Sequence, residues 1–275
     1  MPGRRVGRWL VAVPMGVLAL ATVYPLLFTA NVAMKTRHDY VLDRFSLARS
    51  PNLDNVTAAW TNVGMERYVV NSLIVVTSAV ALLLLIGSMA GFALSHLRFR
   101  GSRALFLGCL AALFVPFQVI MVPLARIMAD GRLLDTHAGL VLAYVAQFLP
   151  FTIFLMTSYY TGVPAEIVDA ARIDGNTPYG VYRRVMLPLG RPALLSVGIL
   201  NTLFCWNDVL IALLMMPSAD HRTLMVGVTA LRGQYSDDIP VFASGVLVAA
   251  LPVLVLYVFF QRQIADGVTA GSTKG

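Results

Sequence analysis

The chain has 275 residues, 58% hydrophobic and only 13% charged, with a mean hydropathy of +0.74. Ordinary soluble domains carry roughly 25% charged residues, so this composition excludes a soluble globular protein, and the large apolar content excludes a disordered one. The formal charge of +7 does not indicate nucleic-acid binding, because the basic residues form short clusters between long uncharged runs.

Six runs are uncharged or nearly so and about 20 residues long, which is enough for a helix to cross a bilayer. They cover residues 9–34, 69–93, 104–125, 138–156, 193–215 and 240–260. The sequence therefore predicts an all-α integral membrane protein with six transmembrane helices. The first run also has features of a cleavable signal peptide, with a candidate cleavage site after Ala21, but it continues to Met34, which favours a retained anchor.

Arginine clusters predict the orientation of these helices. Basic residues dominate before the first run, between the second and third, and between the fourth and fifth, so these segments are predicted to be cytoplasmic. The third and fifth connections are balanced or acidic and are predicted to face outward. Both termini are then cytoplasmic. The first outer connection, residues 35–68, holds five basic residues. It is still predicted to face outward, because the excess of basic residues on the cytoplasmic side applies to short loops and not to long ones.

A short helix is predicted inside this first outer connection. Asp54 or Asn55 could cap it, and Val56, Ala59, Trp60 and Val63 have the spacing of one apolar face. This helix could lie along the membrane surface or pack on the spans.

The sequence lacks the motifs of the common enzyme classes. It contains no G-x-x-x-x-G-K-[ST], G-x-S-x-G or H-E-x-x-H, and its four histidines are far apart. The two cysteines lie in apolar runs and are predicted to be packing residues. We therefore predict no catalytic residues, no metal site and no cofactor bound by this chain.

The cytoplasmic connection at residues 162–192 has the local signals of two short helices. Pro164 suits the first position of a helix, Glu166 lies in its first turn, and Gly175 can end it. Thr177 is predicted to cap a second helix that Pro188 closes. The small side chains of Ala170 and Ala171 would allow close approach of another protein, although the spacing also fits an ordinary amphipathic surface helix.

This connection resembles the cytoplasmic signature of the permease subunits of ATP-binding cassette (ABC) importers. The resemblance lies in residues 164–175, with Tyr182 and Leu187-Pro188 following. Asp169 stands where the family usually has Glu, and Asn176 replaces a small apolar residue. Asn71-Ser72, Trp206-Asn207-Asp208 and the tail from Gln261 to Gly275 are similar to the carbohydrate group of maltose-transporter-type permeases.

The resemblance implies the type I ABC importer permease fold, with residues 1–275 as a single permease domain whose core is 69–260. Residues 162–192 would be the coupling loop that docks on a separate ATPase. Its coupling residues would be Glu166, Asp169, Ala170, Ala171, Asp174, Gly175, Leu187 and Pro188. Implied partners are a second homologous permease, two ATP-binding cassette subunits that bind the ATP, an extracytoplasmic solute-binding protein and lipid of the bacterial cytoplasmic membrane, with no nucleic acid.

The implied function is import of a sugar or a related solute. The alternatives are an ABC permease for another solute, such as a glycerol phosphate ester, an amino acid or a peptide, or an ion-coupled carrier working alone. The last usually needs several ionisable groups near the midplane, whereas Asp208 is the single charge inside these spans. Asp208, with Trp206 and Asn207, could line the translocation pathway or anchor the packing of the helices.

Overall fold

The computed structural model describes residues 3–49, 51, 53–62, 64–97, 99–234 and 238–270, and no strand occurs within these ranges. The α-helices are α1 (Gly3–Ala33), α2 (Arg37–Leu42), α3 (Asp54–Thr57), α4 (Met65–His96), α5 (Ser102–Ala112), α6 (Phe117–Asp130), α7 (His137–Thr161), α8 (Ala165–Ile173), α9 (Pro178–Val181), α10 (Leu187–Leu189), α11 (Arg191–Asn207), α12 (Leu210–Met215), α13 (Leu224–Gln234) and α14 (Ile239–Ala270). Residues 271–275 of the predicted tail motif lie outside the described residues.

The predicted all-α membrane architecture is confirmed. Helices α1, α4, α7 and α14 each contain a stretch long and apolar enough to cross a membrane. Two bent pairs of helices bring the candidate spans to six if each pair counts as one.

The third run forms two helices, which corrects the prediction of one helix over residues 104–125. Helix α5 ends at Ala112, α6 begins at Phe117, and their axes differ by 101°. Pro116 explains the break, because a proline has no N–H to donate and disfavours the helical conformation of the residue before it, here Val115.

The fifth run, predicted as one helix over residues 193–215, is broken at Asp208. The backbone of Asp208 is extended, with a ψ of 135°, and α12 begins two residues later. The Asp208 carboxylate accepts hydrogen bonds from the Ala212 N–H at 2.9 Å and from the Tyr144 hydroxyl of α7 at 3.1 Å. It therefore caps the first turn of α12 and ties this break to α7.

The chain forms two compact units. Unit 1 comprises Met1–Arg67 and Gly227–Pro252, and one of its apolar clusters contains Val32 and Ala33 of α1 and Ala243 of α14.

The predicted cap of the short outer helix is wrong, because α3 follows Leu53 with no capping side chain. The Asn55 amide instead donates to the carbonyls of Ala33 and Lys35, both at 2.8 Å, which holds α3 against the end of α1. Val63 of the predicted apolar face lies outside the described residues.

Unit 2 comprises Tyr68–Val226 and Val253–Gly275, and α7 contacts α5, α11 and α12 within it. Helix α4 packs closely against α7 at Gly87 and Gly91. A Cβ at Gly91 would lie 2.7 Å from Met156 Cβ, and one at Gly87 would collide with Thr152. The Gly-x-x-x-Gly spacing of these two residues, a pattern that favours close helix packing, therefore lies where α4 approaches α7.

We expect Asp208→Ala to destabilise the subunit by about 1 kcal/mol or more, because it removes the cap of α12 and the partner of a buried tyrosine hydroxyl. Asp208→Asn keeps an acceptor oxygen and should lose less. The measurement is the midpoint of thermal unfolding in detergent. Equal midpoints for Asp208→Ala and the unmodified chain would contradict the capping role.

Candidate functional site

Helix α8 begins and ends near the predicted residues. Pro164 occupies the N-cap position rather than the first helical position, and Glu166 lies in the first turn. Gly175 follows the helix with a φ of +81°, a left-handed conformation that other residues rarely adopt. The turn at the end of α8 therefore depends on glycine for its backbone shape.

The two faces of α8 have different surroundings. Val168 and Ala171 are buried in an apolar cluster with Phe92 and Met156 of the spans. Ala170 lies on the exposed face, and Ile173 is 86% exposed at its end. Adjacent residues point about 100° apart around a helix, so Ala170 and Ala171 face different surroundings. Ala171, predicted as an ATPase-coupling residue, faces the interior of this chain. Its small size serves internal packing.

The acidic residues of the loop are exposed, whereas Asn176 forms a hydrogen bond within the turn that follows α8. Glu166 and Asp174 are exposed, and Asp169 forms an exposed ion pair with Arg172 at 3.1 Å. Asn176, where the sequence departs from the family signature, donates to the Ala171 carbonyl at 3.0 Å. Asn176 therefore adds a side-chain hydrogen bond to the turn after α8.

The second helix starts at the predicted cap but does not end at Pro188. The Thr177 hydroxyl accepts from the Gly180 N–H at 3.2 Å, and α9 continues through a π-helical turn, Tyr182–Met186, into α10. The wider π-turn accommodates a proline that has no N–H for a regular helix. Helix α10 reaches Leu189, and the chain bends by 75° before α11. Leu187 is half-buried and Pro188 is exposed.

The loop is tied to the carboxyl end of α4. Ser88 and Tyr182 share a buried hydrogen bond of 2.7 Å between their hydroxyls, and the Tyr182 ring lies 5.9 Å from that of Phe92. Further along α4, the His96 Nε2 is 3.3 Å from the Val163 carbonyl oxygen. Sequence reasoning missed Ser88 and His96; the only signal is that each is polar near the end of an apolar run.

A separate set of contacts groups the connections predicted to face outward. The Asn71 amide donates to the carbonyls of Asp220 and Arg222 at 2.9 and 3.0 Å, and the Ser72 hydroxyl accepts from the Leu224 N–H at 2.8 Å. The family-like pair Asn71-Ser72 therefore anchors the fifth connection to the start of α4.

Asp135 joins the third connection to the fifth. Its carboxylate accepts from the Ser218 hydroxyl at 2.9 Å and lies 3.2 Å from His221 Nδ1. Burial raises the pKa of Asp135, but the hydrogen bonds from Ser218 and the interaction with His221 lower it more, so it lies below its ordinary value. The carboxylate therefore stays charged at neutral pH.

The three residues predicted near the translocation pathway do not form one surface. Trp206 is buried, Asp208 caps α12, and Asn207 is exposed with its amide donating to the Leu203 carbonyl at 2.8 Å. Among the described residues, no group of three histidine, cysteine, aspartate or glutamate side chains could hold a metal ion.

Comparison with known proteins assigns the family. Residues 69–265 match the binding-protein-dependent transport system inner membrane component family. The chain is 32% identical over 271 residues to the arabinooligosaccharides transport system permease protein AraQ of Halalkalibacterium halodurans, covering 97% of this chain and 96% of that one. It is 33% identical over 258 residues to the diacetylchitobiose uptake system permease protein NgcG of Streptomyces coelicolor, covering 93% and 85% respectively.

The fold matches as well. A chain from a crystal structure of a bacterial ABC transporter involved in the import of the acidic polysaccharide alginate superimposes with a TM-score of 0.83 at 20% identity, covering 95% of this chain and 98% of that chain. This confirms the type I importer permease fold. The chain is a membrane transport subunit and not an enzyme, and it belongs to the family of binding-protein-dependent inner membrane components, the permease subunits of ABC importers.

Proposed function

We propose that this chain imports a sugar or sugar-related solute across the bacterial cytoplasmic membrane, driven by a separate ATPase that docks on residues 162–192. The observation that carries the proposal is the two-sided α8, whose inner face is buried in the spans while Ala170 and Ile173 remain exposed. The relatives named for arabinooligosaccharides and diacetylchitobiose support a carbohydrate.

We propose that the whole chain acts as one permease domain beside a second homologous permease, two ATP-binding cassette subunits and an extracytoplasmic solute-binding protein. ATP would bind to the cassette subunits and no cofactor to this chain. When those subunits close on ATP, α8 moves with them. Because Val168 and Ala171 are packed against Phe92 and Met156, this displacement reaches α4 and α7 directly. Hydrolysis then resets the complex.

The hydrogen bonds of Asp208 favour its role as a packing anchor over a direct contact with solute. Asn207 is the remaining pathway candidate of the three, because its side chain is exposed and amides suit sugar hydroxyls. Asp208 is also the only charge within the fifth run, and its use as a helix cap gives no support to an ion-coupled carrier.

The proposed function is tested with the complete complex reconstituted in proteoliposomes with its binding protein. We expect ATPase activity that rises with the transported member of a panel of mono- and oligosaccharides, and ATP-dependent accumulation of that solute. A panel of amino acids, peptides and glycerol phosphate esters serves as the comparison. Stimulation by that second panel alone would contradict the sugar assignment, and uptake by this chain without an ATPase would contradict the whole proposal.

We expect Ala170→Arg to reduce uptake and solute-stimulated ATPase activity at least tenfold at normal membrane abundance, because a long charged side chain on the exposed face of α8 prevents docking. Ala170→Ser preserves the small size and is the matched control. Ala171→Arg should instead lower the abundance of the subunit, since that position is buried. Normal uptake by Ala170→Arg would show that this face does not dock on the ATPase.

The Ser88–Tyr182 hydrogen bond is expected to affect coupling more than ATP hydrolysis itself. Tyr182→Phe removes one hydroxyl and should lower the number of solute molecules transported per ATP by about twofold or more, because α4 follows the loop less closely. Tyr24→Phe is the matched control, since that tyrosine of α1 lies outside residues 162–192 and is 58% exposed. The measurement is the ratio of uptake to ATPase rate in proteoliposomes. An unchanged ratio in Tyr182→Phe would assign the bond to stability alone.

A further inference from the structure

Residues 41–48, which we call the return segment, fold back along the outer end of α1. The Asn31 side chain of α1 clamps this segment, because its amide donates to the Ser46 carbonyl and its oxygen accepts from the Ala48 N–H, both at 2.8 Å. The ring of Phe45 lies 5.9 Å from that of Phe28, a residue of α1. The segment therefore runs beside the last turns of the first span.

A network of hydrogen bonds makes the return segment rigid. Lys35 is only 1% exposed, and its ammonium group donates to the Asp43 carbonyl at 2.8 Å and the Ser46 hydroxyl at 3.2 Å. The Asp43 carboxylate accepts from the backbone N–H groups of Phe45 and Ser46 at 2.9 and 3.2 Å. A buried ammonium group is costly unless it is hydrogen-bonded, so these contacts specify one conformation of the loop.

This rigid frame holds large apolar side chains outward. The exposed fractions of Val41, Leu42, Phe45 and Leu47 range from 68% to 81%. Four large apolar residues on one short segment exceed the scattered exposure that is normal for a soluble loop. They require an apolar environment outside unit 1.

The depth of the segment follows from its contacts with α1. The candidate span in α1 is Ala12–Ala33, 22 residues, or about 33 Å at 1.5 Å per residue, close to the thickness of a hydrocarbon core. Asn31 is two residues before its outer end and Phe28 is five, so they lie about 3 and 8 Å inside it. Phe45 and Ser46 are therefore level with the apolar part of α1.

Arginines lie in and around the return segment. Arg37, Arg44 and Arg49 belong to the basic residues that depart from the charge rule for outward-facing connections. The Arg44 guanidinium lies 5.9 Å from the Phe45 ring centre. Long arginine side chains can cover apolar groups with their stems and reach lipid phosphates with their heads.

We propose that the return segment dips into the outer leaflet of the membrane beside α1, with Phe45 and Leu47 among the acyl chains and Arg44 and Arg49 at the phosphate headgroups. The apolar depth of Phe45 and the nearby arginines carry this assignment. It is independent of the solute and of the ATPase-coupling proposal.

The test uses the complete importer complex in lipid nanodiscs, with Cys109→Ala and Cys205→Ala in this chain and the cysteines of the other subunits replaced. An environment-sensitive fluorophore is attached at Leu47→Cys or, as a second reporter, at Leu42→Cys. Quenching by spin-labelled phospholipid is compared with quenching by aqueous iodide. Leu20→Cys within α1 is the lipid control, and Asp54→Cys on α3 is the aqueous control.

We expect the lipid-borne quencher to be several-fold more effective than iodide at both reporters, as at Leu20→Cys, and Arg44→Glu to reduce this difference in phosphatidylglycerol nanodiscs. Stronger quenching by iodide, as at Asp54→Cys, would overturn the proposal. Protection from both quenchers would overturn it in favour of the second permease. Protection that arises only on addition of the solute-binding protein would overturn it in favour of that protein.

Discussion

The burial of one face of the loop at residues 162–192 against the spans is the interaction on which the rest of this structure depends. Helix α8 has nine residues, too few for a stable isolated helix. Val168 and Ala171 hold it to the spans, and Tyr182 and Met186 do the same for the segment that follows. Because the inner face of α8 is fixed by packing, its outer face has a defined position relative to these spans.

The length of the spans and the bounds of the loop could be predicted from the sequence because their signals are local. The length of an apolar run indicates whether it can cross a membrane, and the left-handed backbone that Gly175 adopts readily ends a helix. The breaks at Pro116 and Asp208 were not predicted, because counting apolar residues is insensitive to a change of direction. Pro116 carried a usable local signal. Asp208 also carried one, since aspartate is a favoured capping residue and its bonds to the Ile211 and Ala212 N–H groups are local; only its contact with Tyr144, 64 residues earlier, has no local signal.

The candidate site was predicted less completely, for the same physical reason. Sequence spacing identified α8 as a projection with small residues but did not distinguish its two faces, so Ala170 and Ala171 were given the same role. Ser88 contacts Tyr182 across 94 residues, and Asn71 contacts the Asp220 carbonyl across 149 residues. Such pairs form only when helices pack, and neither partner has a local pattern that identifies the other.

The corner between α5 and α6 leaves backbone groups outside regular helix. Helix α6 follows Pro116 with no side chain capping its first turn, and Phe114 at the corner is 86% exposed. Within hydrocarbon, backbone groups outside regular helix must be covered by protein or reached by water. This corner therefore requires a neighbouring protein or water to reach its unpaired backbone groups when it lies in the membrane.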